Sequence, residues 1–230
     1  MIAARQIAFG KAAGKGLSAK DYIQDGLIRM LDSIETTGFG EMNYDDGTVV
    51  KNLATGVDSG VVIGTNVIKN ETTFGVVNHL SNTVFKDGIT DISSAFSNNS
   101  FTLEFYGLIP NNMVGVFSSG ADGYSYRLLS INHRSSNTVR FYCGDSYADV
   151  AVDMTALHTF SLVRNGSECI AYVDGNAVAT FQASVSVVPN LLGFYLYLNQ
   201  AFGSYRFFSR ALNDTEVFSN ASIDKARFGL

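Results

Sequence analysis

The chain has 230 residues, 46% of them hydrophobic, with 17 Phe, 11 Tyr and a net charge of −5. Folding at this length buries roughly three-quarters of the unfolded surface, so stability does not depend on covalent staples. The 16 Lys and Arg are spread too thinly to track phosphates, which argues against nucleic acid as a partner.

Residues 1–20 hold Gly10, Gly14 and Gly16 among Ala and Lys, with too few apolar side chains to bury a face. They read as a flexible or anchoring N-terminal arm, either an unordered tail or a segment that orders against a partner. Residues 21–230 read as one domain. A short helical turn near Asp21 leads into a strand at 26–32, and further strands are expected at 48–53, 72–77, 82–85 and 101–108. In the last of these Phe101, Leu103 and Phe105 share one face. Strands follow at 114–117, 124–131, 138–143 and 149–152.

The final third is the most regular. The strand 158–164 meets the tight-turn dipeptide Asn165-Gly166, and the strand 169–173 meets Asp174-Gly175, which makes consecutive hairpins. Strands at 191–198 and from Phe202 complete about a dozen, with scarcely a helix, and this predicts two packed antiparallel sheets. A helix is expected from Asn213, whose side chain can cap it, with Glu216 at the third helical position completing a capping box.

His158, the Asn-Gly turn, Tyr172-Val173-Asp174-Gly175 and Ser209-Arg210-Ala211-Leu212 followed by Asp214 and Glu216 resemble the laminin G-like, or concanavalin A-like, jelly-roll superfamily. The resemblance covers about residues 26–228 and implies an all-β, antiparallel two-sheet jelly-roll sandwich with a short C-terminal helix and an N-terminal arm. Where such domains often carry Trp in the first strand, this chain has Met30. A softer likeness, in residues 7–27 and 223–229, is to proteins encoded by phages and prophages of gut bacteria. It implies a virion surface. Residues 1–10 lack the basic start and apolar run of a secretory signal, and no apolar stretch reaches membrane-spanning length. Synthesis in the host cytoplasm, without membrane insertion, is the expectation.

No catalytic residues emerge. Retaining glycosidases need two carboxyls about 5 Å apart, supplied in jelly rolls by a Glu-x-Asp-x-x-Glu strand, and no such run occurs. Glu104 stands alone in a strand, Glu168 falls in a hairpin turn, and Glu216 belongs to the helix cap. His79, His133 and His158 lie in separate segments without ligand spacing. Cys143 and Cys169 fall at inward positions of strands and read as small buried apolar residues. No cofactor is expected; calcium is the one ion left open, with Asp45, Asp46, Asp87, Asp122 and Asp145 as conceivable ligands, although Asp-Gly is first a turn signal.

Sugar binding needs an exposed aromatic ring with planar polar groups beside it, and Trp is absent. Two places offer both: Tyr195, Tyr197 and Asn199, where the tyrosines share the outer parity of their strand, and Tyr124 and Tyr126 beside a polar loop tip at His133. Tyr142 with Arg140, and Tyr172, hold the same outward parity. The expected function is a non-enzymatic virion surface module, homo-oligomeric, that contacts a surface glycan or another virion protein. The alternatives are a purely structural assembly protein, such as a capsid decoration or fibre subunit, and a glycoside hydrolase-like enzyme.

Overall fold

Among residues 16–32, 48–56, 58–63, 67–69, 77–79, 83–86, 99–109, 114–119, 129–135, 137–185, 191–196 and 201–228, which the computed structural model describes, the chain forms sixteen strands and one α-helix. In chain order these are β1 (Leu27–Asp32), β2 (Thr48–Lys51), β3 (Asp58–Ile63), β4 (Val67–Lys69), β5 (Val77–His79), β6 (Thr83–Lys86), β7 (Ser100–Leu108), β8 (Val114–Ser119), β9 (Leu129–Ser135), β10 (Thr138–Cys143), β11 (Ser146–Ala151), β12 (His158–Asn165), β13 (Glu168–Val173), β14 (Asn176–Gln182), β15 (Leu191–Leu196), β16 (Ala201–Phe208) and α1 (Asp214–Phe228). One sheet runs β14-β13-β12-β7-β16-β5-β4, with β1 also on β16. The other runs β11-β10-β9-β8-β15-β6-β3-β2. Every pairing is antiparallel.

The inner faces meet in a core where Phe101, Leu103 and Phe105 of β7 and Phe160 and Leu162 of β12 pack with Ile131 of β9 and Val139 and Phe141 of β10. This is the alternation read from the sequence. The outer face of β7 departs from it, because Thr102, Glu104 and Tyr106 are fully buried as well. The cover is α1. Its cap is the expected box: Asn213 Oδ1 accepts from the Glu216 amide at 3.0 Å, and Glu216 Oε2 accepts from the Asn213 amide at 2.9 Å. Gly175 lets the helix approach. It sits at φ +79°, and a Cβ there would lie 2.8 Å from the Phe218 Cα.

Glu104 does not stand alone in its strand. It lies opposite Arg206 of β16, whose Nε donates to Glu104 Oε2 at 2.7 Å, while Arg206 Nη1 and Nη2 donate to both oxygens of Asp224 in α1 at 2.8 and 2.6 Å. The three side chains are fully enclosed, and a single guanidinium cannot neutralise a pair of carboxylates. Hydroxyl and amide donors supply the rest: Tyr22, Thr159 and Ser204 to Asp224, and Asn220 and Ser161 to Glu104. Burial pushes the Glu104 carboxyl up against the pull of Arg206. Burial also works against the Arg206 charge, yet Asp224 and Glu104 outweigh it and raise Arg206 well above its ordinary range.

The polar stretch at 132–134, read as a loop tip, is strand. Both β3 and β4 were missed, neither showing alternation, and 72–76 lies outside the described residues, as do 124–128, 197–198 and residues 1–15 of the expected arm. The last residues assigned to that arm are part of the body. Ser18 caps a 3₁₀ turn at Ala19–Asp21, and Ala19 is buried with Tyr22 and Met30.

Replacing Arg206 with Ala strands two buried carboxylates and is expected to cost about 3 to 5 kcal/mol, read as a large fall in the denaturant midpoint. Asn213→Ala removes only the cap and should cost about 1 kcal/mol in the same measurement.

Candidate functional site

Of the residues nominated from sequence, Tyr124, Tyr126, Tyr197 and Asn199 lie outside the described residues. Tyr195 is placed by its backbone in β15, opposite Val84 of β6. His133 sits inside β9, 4% exposed, with Nδ1 donating to the Ile109 carbonyl at 2.7 Å. Its ring faces the core between the sheets, so it cannot grip a ligand at a loop tip. The two further tyrosines of outward parity part company. Tyr172 is 1% exposed, closed under α1 with its hydroxyl donating to Asp214 at 2.6 Å. Tyr142 belongs to the other sheet, whose outer face is open along the β10–β11 hairpin.

That hairpin builds an organised polar-aromatic surface. The turn at Gly144 and Asp145 sets the register, so Tyr142 faces Tyr147 and Arg140 faces Asp149 on the outward side. The tyrosine rings are near parallel, with centroids 6.3 Å apart and planes 10° off. The Arg140 guanidinium lies over the Tyr147 ring at 3.7 Å and is fixed by a bidentate pair to Asp149, Nε to Oδ1 at 2.7 Å and Nη2 to Oδ2 at 2.8 Å. These bonds hold the Asp149 carboxyl below the usual carboxylate range. Tyr147 remains 50% exposed. Next along the same face, opposite Arg140 and Tyr142 on β9, Asn132 Oδ1 and Ser130 Oγ are buried without a hydrogen-bond partner among the described residues. Tyr147 and Asp149 went unnominated, although their two-residue spacing after the turn mirrors Arg140 and Tyr142.

The hairpin motif has a structural account. His158 Nδ1 lies 2.7 Å from Asp174 Oδ2, and His158 Nε2 lies 2.7 Å from the Asp153 carbonyl. Asp174 holds φ at +51° and also accepts from the Thr159 amide. The His…Asp-Gly pattern therefore ties the start of β12 to the β13–β14 turn.

No family profile and no curated sequence matches the chain. Solved structures do. The binding domain of botulinum neurotoxin DC, in complex with rat synaptotagmin II, is similar with a TM-score of 0.62 at 15% identity, over 89% of this chain and 52% of that one. A structure of botulinum neurotoxin type C, a toxin that depends on two ganglioside molecules to enter cells, gives 0.62 at 13% identity over 88% and 52%. The Trypanosoma rangeli sialidase gives 0.55 at 16% identity over 85% of this chain and 32% of its own. What they share is the fold. It is an antiparallel two-sheet jelly-roll sandwich. The chain spans about half the length of the toxin domains it matches.

A groove of about 580 Å³ lies at the start of α1 on the other sheet, floored by Val163, Ile170, Tyr172 and Leu212 and rimmed by Glu168 and Asp214. It presents no open ring, and Glu216 beside it is committed to its cap and to Arg210, at 2.7 and 2.8 Å. Among the described residues, Asp25 and Glu216 meet at Arg210, at 2.8 and 2.7 Å, and the buried Glu104 and Asp224 are sealed around Arg206 and face no cleft. Among the described residues no group of three or more His, Cys, Asp or Glu could hold a metal ion, and no helix is long and apolar enough to cross a membrane. Of the conceivable calcium ligands only Asp145 is described, and its carboxylate accepts from the Ser184 amide and hydroxyl.

Burial disfavours the His158 imidazolium, but acceptors at both ring nitrogens outweigh it and raise the histidine above its ordinary 6.5. A folded-state value above the unfolded one means the stabilisation is fully present below pH 6.5 and is lost as pH rises through the raised value. Thermal melts across that window should show the decline, and His158→Gln should flatten it.

Proposed function

We propose that this chain is a non-enzymatic carbohydrate-binding module whose ligand lies on the outer face of the β10–β11 sheet. The observation that carries the reading is the half-exposed Tyr147 ring, braced by Arg140 and flanked by Asp149. Stacking needs an open ring, and hydroxyl recognition needs fixed planar polar groups beside it. The hairpin has both, and the free Nη1 of Arg140 adds a donor with no partner among the described residues. Tyr195, with Tyr197 and Asn199 following it in sequence, extends the proposed site along the same sheet through β15. The similarity to a toxin that needs gangliosides supports a glycan as ligand. Display on a virion, as a homo-oligomer held by the N-terminal arm, rests on the likeness of residues 7–27 and 223–229 to phage-encoded proteins.

An array of neutral and sialylated glycans, read together with light scattering on the isolated chain, tests the reading. Retention of at least one glycan is expected. Tyr147→Ala should weaken it roughly tenfold, equivalent to about 1.4 kcal/mol, without moving the melting temperature, because a half-exposed ring adds little to the core. Loss of an oligomer in that variant, with no glycan ever retained, would establish the assembly role instead. Glycoside cleavage that disappears on removing one carboxylate would establish an enzyme.

A further inference from the structure

Arg164 of β12 is a buried cation that meets no carboxylate among the described residues. It is 1% exposed, and its donors go to the Gly166 carbonyl at 2.8 Å, the Val185 and Ala183 carbonyls at 2.8 and 3.4 Å, and, from Nη1, the Cys143 sulfur at 3.4 Å. Neutral carbonyls solvate a guanidinium but leave its charge uncompensated, and a buried charge is ordinarily paired. The sulfur is the one partner able to carry a negative charge. Cys143 closes β10 in one sheet. Cys169 lies in β13 of the other, directly opposite Arg164 in the ladder, so both point into the space between the sheets. Both thiols are free, fully enclosed and part of one core cluster between the sheets.

We propose that Cys143 and Cys169 form a redox site, in which Arg164 stabilises Cys143 as a thiolate and the pair closes into an inter-sheet disulfide when the protein meets hydrogen peroxide. The electrostatics run the same way. The neighbouring Cys169 thiol, with burial opposing and the Arg164 charge assisting, draws Cys143 below the ordinary thiol range, while Cys143 and burial push Cys169 up. Because the Arg164 guanidinium touches the Cys143 sulfur at 3.4 Å, Cys143 is the nucleophile and Cys169 the resolving thiol.

Peroxide is little larger than water, which suits a closed site. The Cys143 thiolate attacks one peroxide oxygen, the O–O bond breaks, and the leaving hydroxide takes up a proton to become water, so that Cys143 is oxidised to a sulfenic acid. The Cys169 sulfur then attacks the Cys143 sulfur and the S–O bond breaks. The departing hydroxyl leaves as water with the Cys169 proton. Two thiols and one peroxide give one disulfide and two waters.

The test treats the folded chain with hydrogen peroxide and measures intact mass, peptide linkage and thiol alkylation after denaturation. The expected result is loss of two hydrogen atoms, a Cys143–Cys169 linked peptide, and a melting temperature raised by roughly 5 °C or more that reverses on reduction. In Cys169→Ala the reaction should stop at one added oxygen on Cys143. The proposal is overturned if both thiols remain alkylatable after peroxide treatment, if the disulfide forms only in denaturant, if the oxidised chain unfolds, or if a folded Cys169→Ala variant gains no oxygen at Cys143. Should that variant fail to fold, the wild-type measurement decides alone.

Discussion

A guanidinium closed away from water between two carboxylates sets the terms for this chain. Arg206 comes from β16, Glu104 from β7 and Asp224 from α1, so the charges can be matched only when all three elements sit in one register. A slip of one residue between β7 and β16 would turn Glu104 or Arg206 into the apolar core, where several kcal/mol of desolvation would go uncompensated. The same network reaches the chain ahead of β1, because the Tyr22 hydroxyl donates to Asp224 and its ring lies 4.2 Å from the Arg206 guanidinium. The apolar core makes the sandwich compact. The buried ions make its outer layer specific.

The sandwich was legible in sequence wherever alternation was strong. β7, β10, β12 and β13 fall close to the expected bounds, and Asn213 with Glu216 forms the cap that its spacing announced. Those signals are local: a strand alternates or it does not, and a cap needs only its own neighbours. The failures are non-local. His133 looked like a loop residue because it is polar and flanked by Asn and Arg, yet the Ile109 carbonyl receives its ring inside the core. Glu104 looked solitary because its partners Arg206 and Asn220 lie 102 and 116 residues further along the chain, and no spacing rule spans that distance.

The candidate site shows the same division. Alternation tells the inner face of a strand from its outer face, but it cannot tell which outer face of a sandwich another element will cover. Tyr172 and Tyr142 carry the same outward parity, and α1 decides between them: it seals the sheet that holds Tyr172 and leaves open the one that holds Tyr142 and Tyr147. The helix thus does more than close the fold. By occupying one face it leaves the hairpin edge of the other as the surface where aromatic rings, Arg140 and Asp149 meet solvent together.

The fixed order of the elements along the chain has a kinetic consequence. Every strand of the sandwich precedes α1, so β7 and β16 can pair while Glu104 and Arg206 still face water, and the ions lose their hydration only when Asp224 arrives. The site that receives Asp224 is built from Thr159 of β12 and Ser204 and Arg206 of β16, so the helix has nothing to seal until those strands are in place. Substitutions on its buried face, at Asn220 or Asp224, should act on the rate at which the native state opens far more than on the rate at which it forms. The helix works as a latch on a sheet that is already built.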